Sequence, residues 1–294
     1  MRFAIRYRSE FRYPDPVFES HNLLRACPTT DARQTLLHYE VTTTPAARLH
    51  GYRDYWGTRV DAFGVRAPHT SLTIQAEAGV ETRPTGPMAV CPRRADLTDP
   101  DFVDAHLEFL GRSPHTAWNE ALRKEAEQRS ASAGDDVVGI VLALHRMVGT
   151  SLEYVPGSTQ IGVDVNDVLR GRKGVCQDFA HLLVALARSL GIPARYVSGY
   201  LFEAGAEGDL PAPVPDGERL AIKTHAWVEV AIPGAGWWGL DPTNRQEVGE
   251  RHVKIGHGRD YDDVLPLRGV YQGAGAQALE VAVLIRRESG SQQQ

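Results

Sequence analysis

Cys176, His225 and Asp241 stand in the order nucleophile, base and orienting acid that thiol-based acyl transfer needs. Cys176 opens the stretch CQDFAHLLVALARSL, and Gly191-Ile192-Pro193 stops it, with glycine just past the end and proline beyond. The middle of that stretch is apolar all round, which predicts a helix buried at the centre of a domain. Cys176 then lies at the helix N-terminus, among free backbone N–H groups and the positive end of the dipole. That setting favours thiolate over thiol and supplies donors for a developing oxyanion. Arg172 and Lys173 add positive charge nearby, while Asp178 works against the thiolate. On helix position alone, Cys176 reads equally as a buried core cysteine.

His181 is the nearest candidate base, but five residues at 100° each place it about 140° round the helix from Cys176. It reads instead as a hydrogen-bonded core histidine. Cys27 and Cys91 lie in strand-to-loop regions without a base and read as structural. A better base lies on the strand Ile222 to Val230, where Ala226, Val228 and Val230 form an apolar face and His225, Trp227 and Glu229 form the other. Pro233-Gly234-Ala235-Gly236 makes a turn, and Trp237 to Asp241 returns. A three-residue loop would pair Ile232 with Gly236 and Trp227 with Asp241. His225 and Asp241 are then diagonal neighbours on one face, about 7–8 Å apart. A two- or four-residue loop would put them on opposite faces. Singly, His225 also reads as a solvated strand histidine and Asp241 as a turn former before Pro242. Gln177, Trp227 and Tyr200 complete the set as candidate substrate or oxyanion contacts, with Trp227 expected to wall a cleft.

Two kinds of element must position these residues. From Arg2 to about Thr82 the chain reads as short strands: Phe3, Ile5 and Tyr7 alternate with charged neighbours, as do Phe11 and Tyr13 after a break, and Leu37, Tyr39 and Val41. A hairpin is expected to turn near Gly57, and Ser71 to Ala76 closes the set. This is the pattern of a β-sandwich domain, assigned to residues 1–90. Pro84, Pro87 and Pro92 mark a linker. Ser113-Pro114 is expected to cap a helix from Ala117 to Gln128, and Asp135-Asp136 to start another at Val137. Helices followed by antiparallel strands indicate an α+β domain over residues 91–288, with a disordered polar tail at 289–294.

Composition narrows the function classes. Of 294 residues, 42% are hydrophobic and 23% charged, as in ordinary globular proteins. The 37 acids exceed the 32 bases, for a net charge of −5, and no basic face marks a nucleic-acid binder. The charged N-terminus lacks the apolar stretch of a signal peptide, and no segment reaches about 18 apolar residues. A cytoplasmic protein away from membranes is expected. Three distant cysteines argue against a disulfide framework, and without a CxxC pair or an HExxH motif no metal or other cofactor is expected.

GVCQDFAHLLVALARSLGIPARYVSGYL, THAWVEV and GWWGLDPTN resemble the three core motifs of the transglutaminase-like superfamily, a papain-related fold. LLRACPTTDARQTLLHYEV, YWGTRVDAFGV and GRDYDDVLPLRGVY resemble its bacterial branch, which has an N-terminal β-rich domain, so the resemblance covers nearly the whole chain. It implies a papain-like core with a buried nucleophile helix packed on an antiparallel sheet. Cys176 would be the nucleophile, His225 the base and Asp241 the group that holds the imidazole. The expected activity is that of a predicted cysteine protease, a peptidase or amidase cleaving peptide or isopeptide bonds through a thioester. Two alternatives stand beside it: amide formation with an amine acceptor, and a non-catalytic binding protein that kept the fold. The expected partners are peptide or protein substrates carrying a carboxamide, and self-association into a homo-oligomer is compatible with the sequence.

Overall fold

The structure is a computed structural model that describes residues 1–158, 163–202, 224–273 and 278–288. The alternating N-terminal residues form one strand, β1 (Arg2–Val17), with Phe3, Ile5, Tyr7, Phe11 and Tyr13 all buried. The break expected before Phe11 is absent, because β1 keeps its register with both neighbours through Arg12. Strands β2 (Glu19–Leu24), β3 (Gln34–Thr44), β4 (His50–Arg53), β5 (Arg59–Val65) and β6 (His69–Thr82) follow. The hairpin expected near Gly57 joins β4 to β5, and Asp54 Oδ1 closes it by accepting the Trp56 and Thr58 amides at 3.1 and 3.0 Å. In β3 the expected alternation fails at Leu37. A bulge between Leu36 and His38 leaves Leu37 47% exposed, and Leu36 packs on the core instead.

The central segment holds α1 (Pro100–His106), α2 (Glu120–Ser130), α3 (Val137–Ser151), β7 (Glu153–Tyr154), α4 (Val165–Gly171), β8 (Lys173–Gly174) and α5 (Cys176–Ser189). The helix expected at Ala117 starts later. Asn119 caps α2 by accepting the Leu122 amide at 2.9 Å, whereas Ser113 is bonded to Thr116 in a turn. Asp136 caps α3 as expected, accepting the Val138 amide. Helix α5 ends at the expected glycine: the Gly191 amide donates to the Arg188 carbonyl and the Ile192 amide to that of Ala187, both at 3.0 Å.

The remaining strands are β9 (Ala194–Leu201), β10 (Thr224–Ile232), β11 (Gly236–Asp241), β12 (Gln246–Glu247), β13 (His252–Gly258), β14 (Leu267–Gln272) and β15 (Ala278–Glu288). An antiparallel sheet in the order β12-β11-β10-β9-β13 carries α5 on one face, where Ala226, Val228 and Val230 meet Leu182, Leu183 and Leu186. Sheets β15-β1-β6-β3 and β14-β2-β5-β4 share a second core as a sandwich, into which β9 and β13 also place Tyr200 and Val253. The division expected at residue 90 does not follow the sheets. β14 and β15 return to pair with β2 and β1, satisfying strand edges that would otherwise be open. The tail at 289–294 lies outside the described residues, as do Ile222 and Lys223 of the expected β10. Among the described residues no helix is long and apolar enough to cross a membrane.

Candidate active site

The approach to Cys176 is pinned on both sides. Arg172 caps α4 with a left-handed backbone (φ 53°), and β7 and β8 form a short parallel bridge with the Val155 amide donating to the Gly174 carbonyl at 3.0 Å. Asp178 Oδ2 accepts the Val175 amide at 2.8 Å, so this carboxylate caps the helix start. Its side chain lies against Gly174, where an added Cβ would come within 2.8 Å of Asp178 Cβ. Half-buried Cys176 is the first residue of α5. Among the described residues no protein acceptor takes the Cys176 or Gln177 amide, the donors that a helix N-terminus leaves free.

The three-residue loop 233–235 sets the register that brings His225 to Asp241. Ile232 pairs with Gly236 and Val228 with Leu240, and His225 Nε2 donates to Asp241 Oδ2 at 2.8 Å. The Cys176 thiol lies close enough to His225 to act on its titration. With Nε2 occupied by Asp241, Nδ1 is the ring nitrogen left for the sulfur. Burial alone would lower the His225 pKa, but the hydrogen bond to Asp241, the nearby Cys176 and their charges raise it to about 10. These contacts favour the imidazolium form of the ring.

Asp241 is fully buried and nearly saturated as an acceptor. Oδ2 takes His225 Nε2, His252 Nε2 at 3.0 Å and Asn244 Nδ2 at 2.8 Å, while Oδ1 takes the Thr243 and Asn244 amides at 3.1 Å. Burial would raise its pKa; the hydrogen bonds from His225 and His252 outweigh this and hold it far below the usual carboxylate range. The backbone at Asp241 is fixed from α3. His145 Nε2 donates to the Asp241 carbonyl at 3.0 Å, and Arg245 Nε donates to the Gly149 carbonyl at 2.7 Å. Helix and turn approach so closely that a Cβ on Gly149 would lie 2.9 Å from the Pro242 carbonyl.

Not every expected residue joins this site. Trp227 is 1% exposed and meets His252 edge-on at 5.3 Å, so it underlies the imidazoles and walls no cleft. Tyr200 is equally buried in the sandwich core, and its hydroxyl donates to the Ala26 carbonyl at 3.2 Å, which removes it from the oxyanion candidates. Half-buried Gln177 follows Cys176 in the first turn. His181 is buried and accepts the Tyr261 amide at 3.2 Å; burial, with His115 and Arg188 nearby, pushes its pKa down to about 3. It has no part in the arrangement. Cys27 is buried, and burial pushes its thiol up to about 12. Cys91, read as structural, is exposed. Sequence reasoning missed Asn244, His145 and His252. Asn244 stands in the LDPTN run already singled out, and His145 is a polar residue in the apolar stripe of α3, which signals a buried partner.

Comparison with known proteins agrees with this fold. Residues 124–242 match the transglutaminase-like superfamily core, and residues 3–81 match the bacterial transglutaminase-like N-terminal region. The chain belongs to the transglutaminase-like superfamily, in its bacterial form with the added β-rich region. An uncharacterized protein of Mycobacterium leprae is 37% identical, over 97% of this chain and 99% of its own. A protein-glutamine gamma-glutamyltransferase of Pseudomonas aeruginosa is 31% identical over 44% of this chain and 20% of its own length. The crystal structure of a candidate cysteine protease from Cytophaga hutchinsonii superposes with a TM-score of 0.74 at 24% identity, covering 99% of this chain and 92% of that one, and so shares the fold.

Proposed function

We propose that this protein is a cysteine-dependent acyl-transfer enzyme that hydrolyses amide bonds through a thioester on Cys176. The observation that carries the reading is His225 bonded to the buried carboxylate of Asp241 at 2.8 Å and close enough to Cys176 for the thiol to act on its charge. An imidazolium beside the sulfur is the natural counter-ion of a thiolate. The thiolate attacks the carbonyl carbon of a carboxamide, and the amides of Cys176 and Gln177 are placed to receive the oxyanion. His225 then gives its proton to the leaving nitrogen, the C–N bond breaks and the thioester remains. Water attacks the thioester as His225 takes up one of its protons; the C–S bond breaks, releasing an acid that ionises to the carboxylate and restoring the thiolate beside the imidazolium. Asp241 holds the ring and stabilises its charge throughout. The substrates on this reading are peptides or proteins that present a carboxamide.

Amine transfer uses the same thioester, and the gamma-glutamyltransferase relative favours it over the matched segment. We give hydrolysis precedence because water needs no second substrate site. Incubation with a glutamine peptide and a primary amine separates the two by mass spectrometry. Replacement of the carboxamide by a carboxylate supports hydrolysis, and incorporation of the amine supports transfer. Absence of both from wild-type protein, with Cys176 unmodified, would leave the fold serving a binding role.

A further inference from the structure

Asp241 is gripped by two imidazoles. His252, at the start of β13, is 4% exposed and donates from Nε2 to Asp241 Oδ2 at 3.0 Å, on the oxygen that His225 reaches at 2.8 Å. Its other nitrogen is committed, because Nδ1 accepts the Gly249 amide at 3.2 Å. A ring that accepts at Nδ1 must carry its proton on Nε2, so the backbone at Gly249 fixes the tautomer that donates to Asp241. The ring is held edge-on by Trp227 at 5.3 Å. These contacts make His252 a rigid donor aimed at the carboxylate.

We propose that His252 is a positioning residue of the acyl-transfer site, holding Asp241 Oδ2 in line with His225 Nε2. The inference rests on the reading of Cys176, His225 and Asp241 given above. During turnover His225 surrenders its proton, and the charge-assisted part of its bond to Asp241 is lost at that moment. Without His252, Oδ2, held then only by a neutral His225 and the Asn244 side chain, could pivot about the Oδ1 bonds to the Thr243 and Asn244 amides. His252 keeps its bond because it stays neutral: burial lowers its pKa first, and the charges of His225 and Arg33 act the same way against the pull of Asp241. The charged or titratable groups around the pair are His225 from β10, Cys176 from α5 beyond it, His145 from α3 at the Asp241 carbonyl, and Arg33. Among these, only His252 and His225 donate to the carboxylate through a ring nitrogen.

Two substitutions isolate the donor. His252→Phe keeps a ring against Trp227 and removes the N–H, while His252→Gln keeps an N–H. The full-length protein is followed by NMR titration of His225 and by iodoacetamide labelling of Cys176 resolved by peptide mass spectrometry. In His252→Phe the His225 titration should move to lower pH, and Cys176 labelling at mildly acid pH should slow by about tenfold or more, the usual effect of losing a hydrogen bond to a charged group. In His252→Gln both should return close to wild type. A Phe variant whose His225 titration stays in place or moves to higher pH, or a Gln variant as impaired as Phe, overturns the proposal; a substitution that only loosened the fold would not move the titration of the folded fraction. Should the Phe variant not fold, the wild-type protein decides: His252 must remain the Nε2–H tautomer across neutral pH, and a proton on Nδ1 contradicts the proposal. Wild-type Cys176 that labels no faster than an ordinary thiol would refute the catalytic reading, while the His225 titration still judges His252 on its own.

Discussion

Replacing Asp241 with Asn keeps the shape and removes one charge, and the consequence can be worked from its contacts. The carboxylate accepts five hydrogen bonds, two of them from the Thr243 and Asn244 amides. An amide offers one acceptor oxygen. If that oxygen faces the imidazoles, its NH2 meets the two backbone amides, donor against donor. Each buried donor left without an acceptor costs about 1–3 kcal/mol, so a loss of about 2–6 kcal/mol is expected. His225 is affected too, since burial is the largest influence on it and pushes its pKa down once the carboxylate is gone. In the wild type its folded pKa of about 10 lies above the ordinary value of 6.5, so its contribution is fully present below about pH 6.5 and is lost as pH rises through 10. The Asp241 contribution has the opposite sense: present above its ordinary value of 3.8, it is lost as pH falls through the depressed folded value. Urea unfolding measured from mildly acid to alkaline pH should show wild-type stability falling across the His225 window. Asp241→Asn should be less stable at the acid end and should lose most of that slope. A variant that keeps the wild-type slope refutes the claim that Asp241 holds the His225 proton.

Gly174→Ala should destabilise the protein by about 1–3 kcal/mol, because the new Cβ pushes Asp178 off the Val175 amide; chemical denaturation within a few tenths of wild type would count against that packing. His181 keeps a folded pKa of about 3 while the unfolded chain protonates near 6.5, so wild-type stability should fall as pH drops through that interval. His181→Gln should flatten part of this acid limb, and an unchanged limb in thermal melts would assign it elsewhere, with half-buried His257 (also about 3) the next suspect. Cys27 should resist iodoacetamide in the folded state, and Cys91 should label as an exposed thiol does; rapid labelling of Cys27 would contradict its burial.

The nucleophile helix was readable because its apolar residues leave no polar face and its stop signal is local. The register of β10 and β11 was readable only conditionally, since a loop one residue longer or shorter moves Asp241 to the other face. Leu37 and Ser113 misled for a shared reason: a bulge and a turn each absorb a residue that simple periodicity assigns to an element. The return of β14 and β15 to the first sandwich is a long-range pairing that local sequence does not encode. Trp227 and Tyr200 were placed near the site by their strands, but which way a strand faces a second core depends on packing that only the assembled sheets define. His252 stayed hidden because its partner Asp241 was already accounted for by His225, and nothing in the sequence near His252 signals a buried carboxylate.

The claim at the centre of this account is that Cys176 forms a thioester through His225. Acid-quenching the protein during incubation with glutamine-containing peptides, followed by mass spectrometry of the peptide bearing Cys176, tests it directly. The account predicts an acyl adduct on Cys176 that hydroxylamine removes, absent from Cys176→Ala and strongly reduced in His225→Ala. Turnover of an amide substrate by the Cys176→Ala protein, or an adduct on Cys91 with Cys176 unmodified, would contradict it.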